Sequence, residues 1–169
     1  MTGLKHWFFV QPIIQVCIET VLMFVLWTVL MLILRGKARR VAACVGFLLA
    51  VALIIAMTVW GRRSGSRCEL SLIPLITFVR AKSTPVLYRS LLMNVLLFMP
   101  IGFLAGCGLR GMTFKKVLLL GSGFSVFIEL LQFVFKKGFC ETDDVIHNVL
   151  GCIIGYGLWR VCCIRLHTS

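Results

Sequence analysis

Five stretches of this chain, residues 12–34, 41–60, 91–109, 117–135 and 145–164, stay apolar over the length of a bilayer crossing. A helix rising about 1.5 Å per residue needs about 20 such residues to span a hydrocarbon core about 30 Å thick. Inside that core only helices and closed barrels satisfy their own backbone hydrogen bonds. With a mean hydropathy of +1.00, the sequence predicts an all-α fold, a polytopic transmembrane helical bundle of about five spans. Residues 1–60 hold two N-terminal helices with a basic connecting loop, and residues 61–169 hold a long loop, 61–90, followed by three helices. The first block is too long for a secretory h-region and is expected to stay as an anchor. No connection is long enough for a soluble domain.

The net charge of +12 does not point to nucleic acid, because the basic residues punctuate the ends of spans and form no face interleaved with aromatic platforms. They read as topology signals. Lys and Arg divide evenly between the two sides of the membrane, nine and nine of eighteen, so loop length decides. Arg35, Lys37, Arg39 and Arg40 share one short connection, and Arg110, Lys115 and Lys116 share another; short dense loops weigh most in the positive-inside rule. The expected orientation has the N-terminus outside and the C-terminus in the cytoplasm. The loop 61–90 and the segment 136–142 then share the outer face with Glu69, Glu141, Asp143 and Asp144. The inner loops carry no acid and would suit anionic lipid headgroups.

Only six acidic residues occur, and Glu129, Glu141, Asp143 and Asp144 cluster near the C-terminus. Unpaired polar groups in hydrocarbon cost several kcal/mol in general, so polar residues in spans normally face a protein interior or a wet cavity. The last three spans share one pattern at helical spacing. Asn94, Phe98, Gly102 and Gly106 form a stripe on the first of them, Gly121, Ser125, Glu129 and Gln132 on the second, and Asp144, Asn148, Gly151 and Gly155 on the third. Alternating directions bring Asn94, Glu129, Gln132, Asp144 and Asn148 out in the outer half of the membrane. Asp144 opens its helix, where the dipole favours negative charge, while Asp143 is turned roughly 100° away. Gln132 and Asn148 could satisfy each other; Glu129 would still need a proton or a cation. Pro100 removes a backbone bond within its span, which either kinks the helix for packing or frees a carbonyl that must find another partner.

Of eight cysteines, Cys17, Cys44, Cys107, Cys152, Cys162 and Cys163 lie in spans and read as packing residues. Cys68 and Cys140 fall in the two outer connections, and a disulfide between them is one option the topology leaves open. No CxxC or His-rich zinc spacing occurs, and neither a metal nor another cofactor is expected. The spacing of Asp143, Asp144 and His147 is the nearest thing to a divalent-ion motif.

Three segments together resemble the signature of VanZ-like membrane proteins: Asn94 to Gly102 (NVLLFMPIG), Ile128 to Gln132 (IELLQ), and Asp144 to Gly151 (DVIHNVLG) followed by Gly155. The resemblance runs from about Leu70 to Trp159. Ser71 and Leu75 replace the Asn and Phe of the family's upstream Asn-Leu-Ile-Pro-Phe segment, Glu141 stands for its usual Asp, and Lys136-Lys137-Gly138 occupies a place where many members carry Arg. Lysine lacks the bidentate grip of a guanidinium. The first span, with Glu19, looks like an addition to the commoner plan. The resemblance implies a bacterial cell-envelope role, and its named members confer low-level resistance to teicoplanin, a lipoglycopeptide that binds peptidoglycan precursors at the outer membrane face.

Three readings follow for the cluster. It is a ligand-binding site, formed by Asn94, Glu129, Gln132, Asp144 and Asn148, for membrane lipid, either an anionic lipid or a peptidoglycan precursor, with Arg62, Arg63, Arg67, Arg80, Lys82 or Arg89 taking phosphate. Alternatively it is catalytic, with Glu129 as general acid and Asp144 as general base or metal ligand, although no nucleophile is evident. As a third option the carboxylates pair with loop arginines and lock the helices.

Overall fold

The computed structural model describes residues 2–60, 70–71, 85–136 and 140–164. Five helices make up almost all of it: α1 (Thr2–Ile33), α2 (Gly36–Ile55), α3 (Pro85–Gly108), α4 (Phe114–Val134) and α5 (Thr142–Trp159). Two of them, α2 and α5, end in single wider π-turns, Ala56–Trp60 and Arg160–Ile164. Four stretches are long and apolar enough to cross a membrane, Gly36–Val59, Leu91–Gly108, Phe114–Val134 and Thr142–Cys162, and Ile18–Ile33 of α1 adds a shorter apolar helix. Their outward faces are rich in leucine, valine and phenylalanine; Leu119 and Val134 are among the most exposed. This is the surface of a chain solvated by lipid.

The helix limits differ from the sequence reading at one place that matters. The long connection was expected to reach residue 90, yet α3 starts at Pro85. Proline fits the first helical position, since its missing N–H would have no intrahelical acceptor there anyway. The connections between α1 and α2 and between α3 and α4 are short. Each turns on a glycine with positive φ, Gly36 at 59° and Gly111 at 64°, a conformation that a Cβ disfavours.

Helix α3 is the hub and touches all four other helices; its partner of closest approach is α5. The two run in the same direction, because Val95 lies against Gly151, Met99 against Gly155 and Gly106 against Trp159. A Cβ on Gly102 would collide with the backbone of Cys152, and one on Gly155 with the backbone of Met99. The small-residue stripes are therefore a backbone-to-backbone seam. Lipid tails are as apolar as leucine, so close packing and hydrogen bonds, and not hydrophobic burial, hold such helices together. Helix α4 lies antiparallel on α5, with Gly121 beside Cys152 and Val149. Phe98, Ile101, Ile128, Val117 and Cys152 fill the space between these three helices. Helices α1 and α2 cover the other side of α3 through Met31, Ala43, Phe103 and Leu104.

The two ends of the bundle differ in charge. At one end the α2 and α4 N-termini meet the α3 and α5 C-termini: Gly108 packs on Cys44, and the Tyr156 hydroxyl donates to the Met112 carbonyl at 3.1 Å. Lys37, Arg39, Arg40, Arg110, Lys115, Lys116 and Arg160 are all near this end. The first turns of α2 and α4 contain no acid. Cations there oppose the helix dipole by about 0.3–1 kcal/mol each, so helix electrostatics do not account for them. At the other end a two-residue parallel pairing, β1 (Leu70–Ser71) with β2 (Cys140–Glu141), brings the two expected outer connections side by side. Cys68 and the side chains of Arg62, Arg63, Arg67, Arg80 and Lys82 lie outside the described residues.

Candidate functional site

The β-paired end holds the polar residues. Helix α5 starts with Asp143 and Asp144 in its first turn, where unsatisfied N–H groups and the dipole favour carboxylates. The Gly151–Gly155 seam brings α3 so close that two short side chains can meet. Asn94 Nδ2 donates to Asp144 Oδ1 at 2.7 Å, with both residues buried. One turn deeper on α5, Asn148 Nδ2 donates to Ser125 Oγ of α4 at 2.9 Å. Glu129 follows Ser125 by one turn of α4 and is 4% exposed. Gln132 follows Glu129, is 2% exposed, and its Nε2 donates at 3.2 Å to the carbonyl oxygen of Thr58 in the terminal turn after α2. The last carbonyls of a helix have no partner within it, so Gln132 fills a vacancy that the end of α2 creates. The Thr58 hydroxyl in turn donates to the Ile54 carbonyl at 2.6 Å.

All five residues singled out in the sequence are thus buried at one end of the bundle, but their bonding differs from expectation. Gln132 and Asn148 do not satisfy each other. Antiparallel packing sets Asn148 level with Ser125 and leaves Gln132 nearly two turns further along α4, beside α2. Asp143, about 100° around the helix from Asp144, is also buried, at 1% exposure. The reason is local: β2 packs against both α4 and α5, so the first turn of α5 is enclosed on two sides. Ser125, which the sequence places in the stripe of α4, is a hydrogen-bond acceptor in the cluster. Thr58 had no signal in the sequence except its place near the end of a span.

The cluster is rich in acceptors. Glu129, Asp143 and Asp144 are all buried, and Asp144 accepts from the amide of Asn94. Each of the three carboxyl residues has a polar or charged interaction. Among the described residues, Asn148 Oδ1 has no hydrogen-bond partner although its residue is 4% exposed. A buried acceptor left unmade costs about 1–3 kcal/mol, so such an atom calls for a donor from outside the described set. The spacing of Asp143, Asp144 and His147 does not assemble as a metal motif: among the described residues no three His, Cys, Asp or Glu side chains converge on a metal position. His147 Nδ1 is 2.6 Å from the Asp143 carbonyl oxygen, one turn back on its own helix, and donates to it.

No protein of curated function and no solved structure matches the chain. The family model described as VanZ/LLP1 matches residues 47–163, which takes in α3, α4, α5, the second half of α2 and every residue of the polar cluster. The chain is a multi-pass helical membrane protein that belongs to the VanZ/LLP1 family.

Proposed function

We propose that the protein acts at the bacterial cell envelope by holding a lipid or lipid-linked headgroup in the buried polar cluster. The observation that carries this reading is Asn148 Oδ1, an unpartnered acceptor among the described residues, at an end of the bundle where Asn94, Glu129, Gln132 and Asp144 are also buried. A headgroup hydroxyl or amine supplies the donor that Oδ1 lacks, while the basic residues of the 61–84 connection and Arg89 take its phosphate. The ligand is an anionic lipid or a peptidoglycan precursor.

In this reading the basic end faces the cytoplasm. Each Lys or Arg near an anionic membrane surface gains about 1 kcal/mol, which exceeds or matches the helix-dipole penalty of about 0.3–1 kcal/mol. The polar cluster then faces outward, where lipoglycopeptides meet their targets. Expression of the protein is expected to reduce susceptibility to teicoplanin more than to vancomycin, because the acyl chain of teicoplanin keeps it at the bilayer. The effect should vanish in Glu129→Ala and survive Glu19→Ala. Equal shifts for both drugs, or an unchanged effect in Glu129→Ala, would remove the case for a specific outer site. Mass spectrometry of lipids and precursors adds a second arm: a species made by the wild type and absent with Glu129→Gln would replace binding by acid/base catalysis.

A further inference from the structure

An apolar cleft lies between α1, α2 and α3. Ile54, Leu97 and Leu104, all buried, form its floor together with Pro100. Met23, Leu49 and Leu53, at 50%, 57% and 44% exposure, form a mouth that opens sideways. Trp27 stacked over Gly46 closes one end. The other end is lined by two residues that lie about one helical turn from residues of the polar cluster or from a partner of one. Leu97 is one turn after Asn94 on α3, and Ile54 accepts the hydroxyl of Thr58, whose carbonyl holds Gln132.

The size and lining of the cleft narrow its occupant. Its volume of about 70 Å³ would admit several waters, but a space whose lining is apolar except for Thr20 offers them too few polar partners. It is far below the roughly 300–1,000 Å³ of pockets for drug-sized ligands. A helix, about 10 Å across, is too wide to enter. The mouth opens between apolar helices, so hydrocarbon is what reaches it. We propose that the cleft holds a segment of one acyl chain of the lipid whose headgroup the polar cluster engages, the rest of the chain lying outside the mouth. The link to the headgroup rests on the function proposed above; the chain site itself does not. The family match begins at residue 47, so the α1 wall, with Met23, Phe24 and Trp27, is outside it. The N-terminal helix of this protein thus supplies one wall of the chain site, and α2 and α3 supply the rest.

Fluorescence quenching tests both parts on the full chain. Of the four tryptophans, Trp7, Trp60 and Trp159 are replaced by Phe, and the protein is reconstituted in phosphatidylglycerol with chains brominated near their middle. Trp27 should lose most of its emission. Ala50→Phe, which fills the cleft, or Leu49→Phe, which narrows its mouth, should restore much of it, whereas a Leu26→Trp, Trp27→Phe reporter on the lipid-facing side of α1 should be unaffected by either. A Trp27 that stays bright without these substitutions means that no acyl chain enters the cleft, whether it is empty or filled by protein such as a second copy, and overturns the proposal. So does quenching that neither substitution relieves.

The link to the headgroup is read by diluting brominated phosphatidylglycerol into unbrominated phosphatidylcholine. Trp27 should reach half-quenching at about threefold lower mole fraction than the Leu26→Trp reporter, a preference of about 0.7 kcal/mol. Glu129→Gln should abolish that preference and leave quenching in pure brominated lipid unchanged. If the preference survives Glu129→Gln, the chain site stands and its connection to the polar cluster falls.

Discussion

Where α3 meets α5, backbone touches backbone; where α1 meets α2 and α3, side chains keep the helices apart. In the first contact Gly102, Gly151 and Gly155 admit the carbonyls of the facing helix. In the second, Phe24 stands edge-on to Phe103 with ring centroids 5.5 Å apart, and Trp27 covers Gly46. The difference is one of tolerance. A seam without side chains has nothing that can rotate to accept a larger residue, whereas an aromatic wall yields and leaves a cleft beside it. The rigid contact carries the polar cluster and the flexible one lines a space for something else.

The largest expected effect breaks the seam. Gly155→Val should cost about 3 kcal/mol or more, the upper range for overpacking, because its Cβ meets the Met99 backbone and not a mobile side chain. It should also separate Asn94 from Asp144, so that under the proposed function chemical denaturation in detergent and teicoplanin susceptibility change together. Gly46→Ala probes the aromatic wall: its Cβ would approach the Trp27 ring to 3.0 Å, and a small shift of the indole should limit the loss to about 1 kcal/mol. The smallest effect has the opposite sign. Gly157 has nothing within 4 Å of an added Cβ, so Gly157→Ala should stabilise α5 by about 0.5–1 kcal/mol through reduced backbone entropy. If Gly157→Ala and Gly155→Val destabilise equally, close approach is not what distinguishes the seam.

The stripes were legible in the sequence because helical periodicity fixes which residues share a face, and glycine on such a face permits close contact. Asn94, Asp144 and Asn148 could be assigned to one layer from spacing and alternating helix direction alone. Their partners could not, because the level at which α4 slides along α5 decides whether Asn148 meets Ser125 or Gln132, and no local signal sets that level. Burial of Asp143 depends on β2 entering beside α4, a contact between connections. The start of α3 did carry a local signal in Pro85, which competed with the polar and basic character of the preceding segment. The cleft had no signature, since Met23, Leu49 and Leu97 are indistinguishable in sequence from leucines and methionines that face lipid.

The parallel seam also imposes an order on biogenesis. Two parallel helices cannot form a hairpin, so α3 must wait for α4 to cross back and α5 to follow before it finds its partner. Asn94 and Asp144 are 50 residues apart, an interval of about 3–10 s at roughly 5–20 residues per second of synthesis. During that time α3 presents an amide and a row of bare glycines to the insertion machinery or to lipid. The nascent protein is therefore most exposed to misassembly or proteolysis after its third helix has entered and before its fifth arrives, when all of the cost of a polar helix is present and none of its hydrogen bonds to α5 have formed.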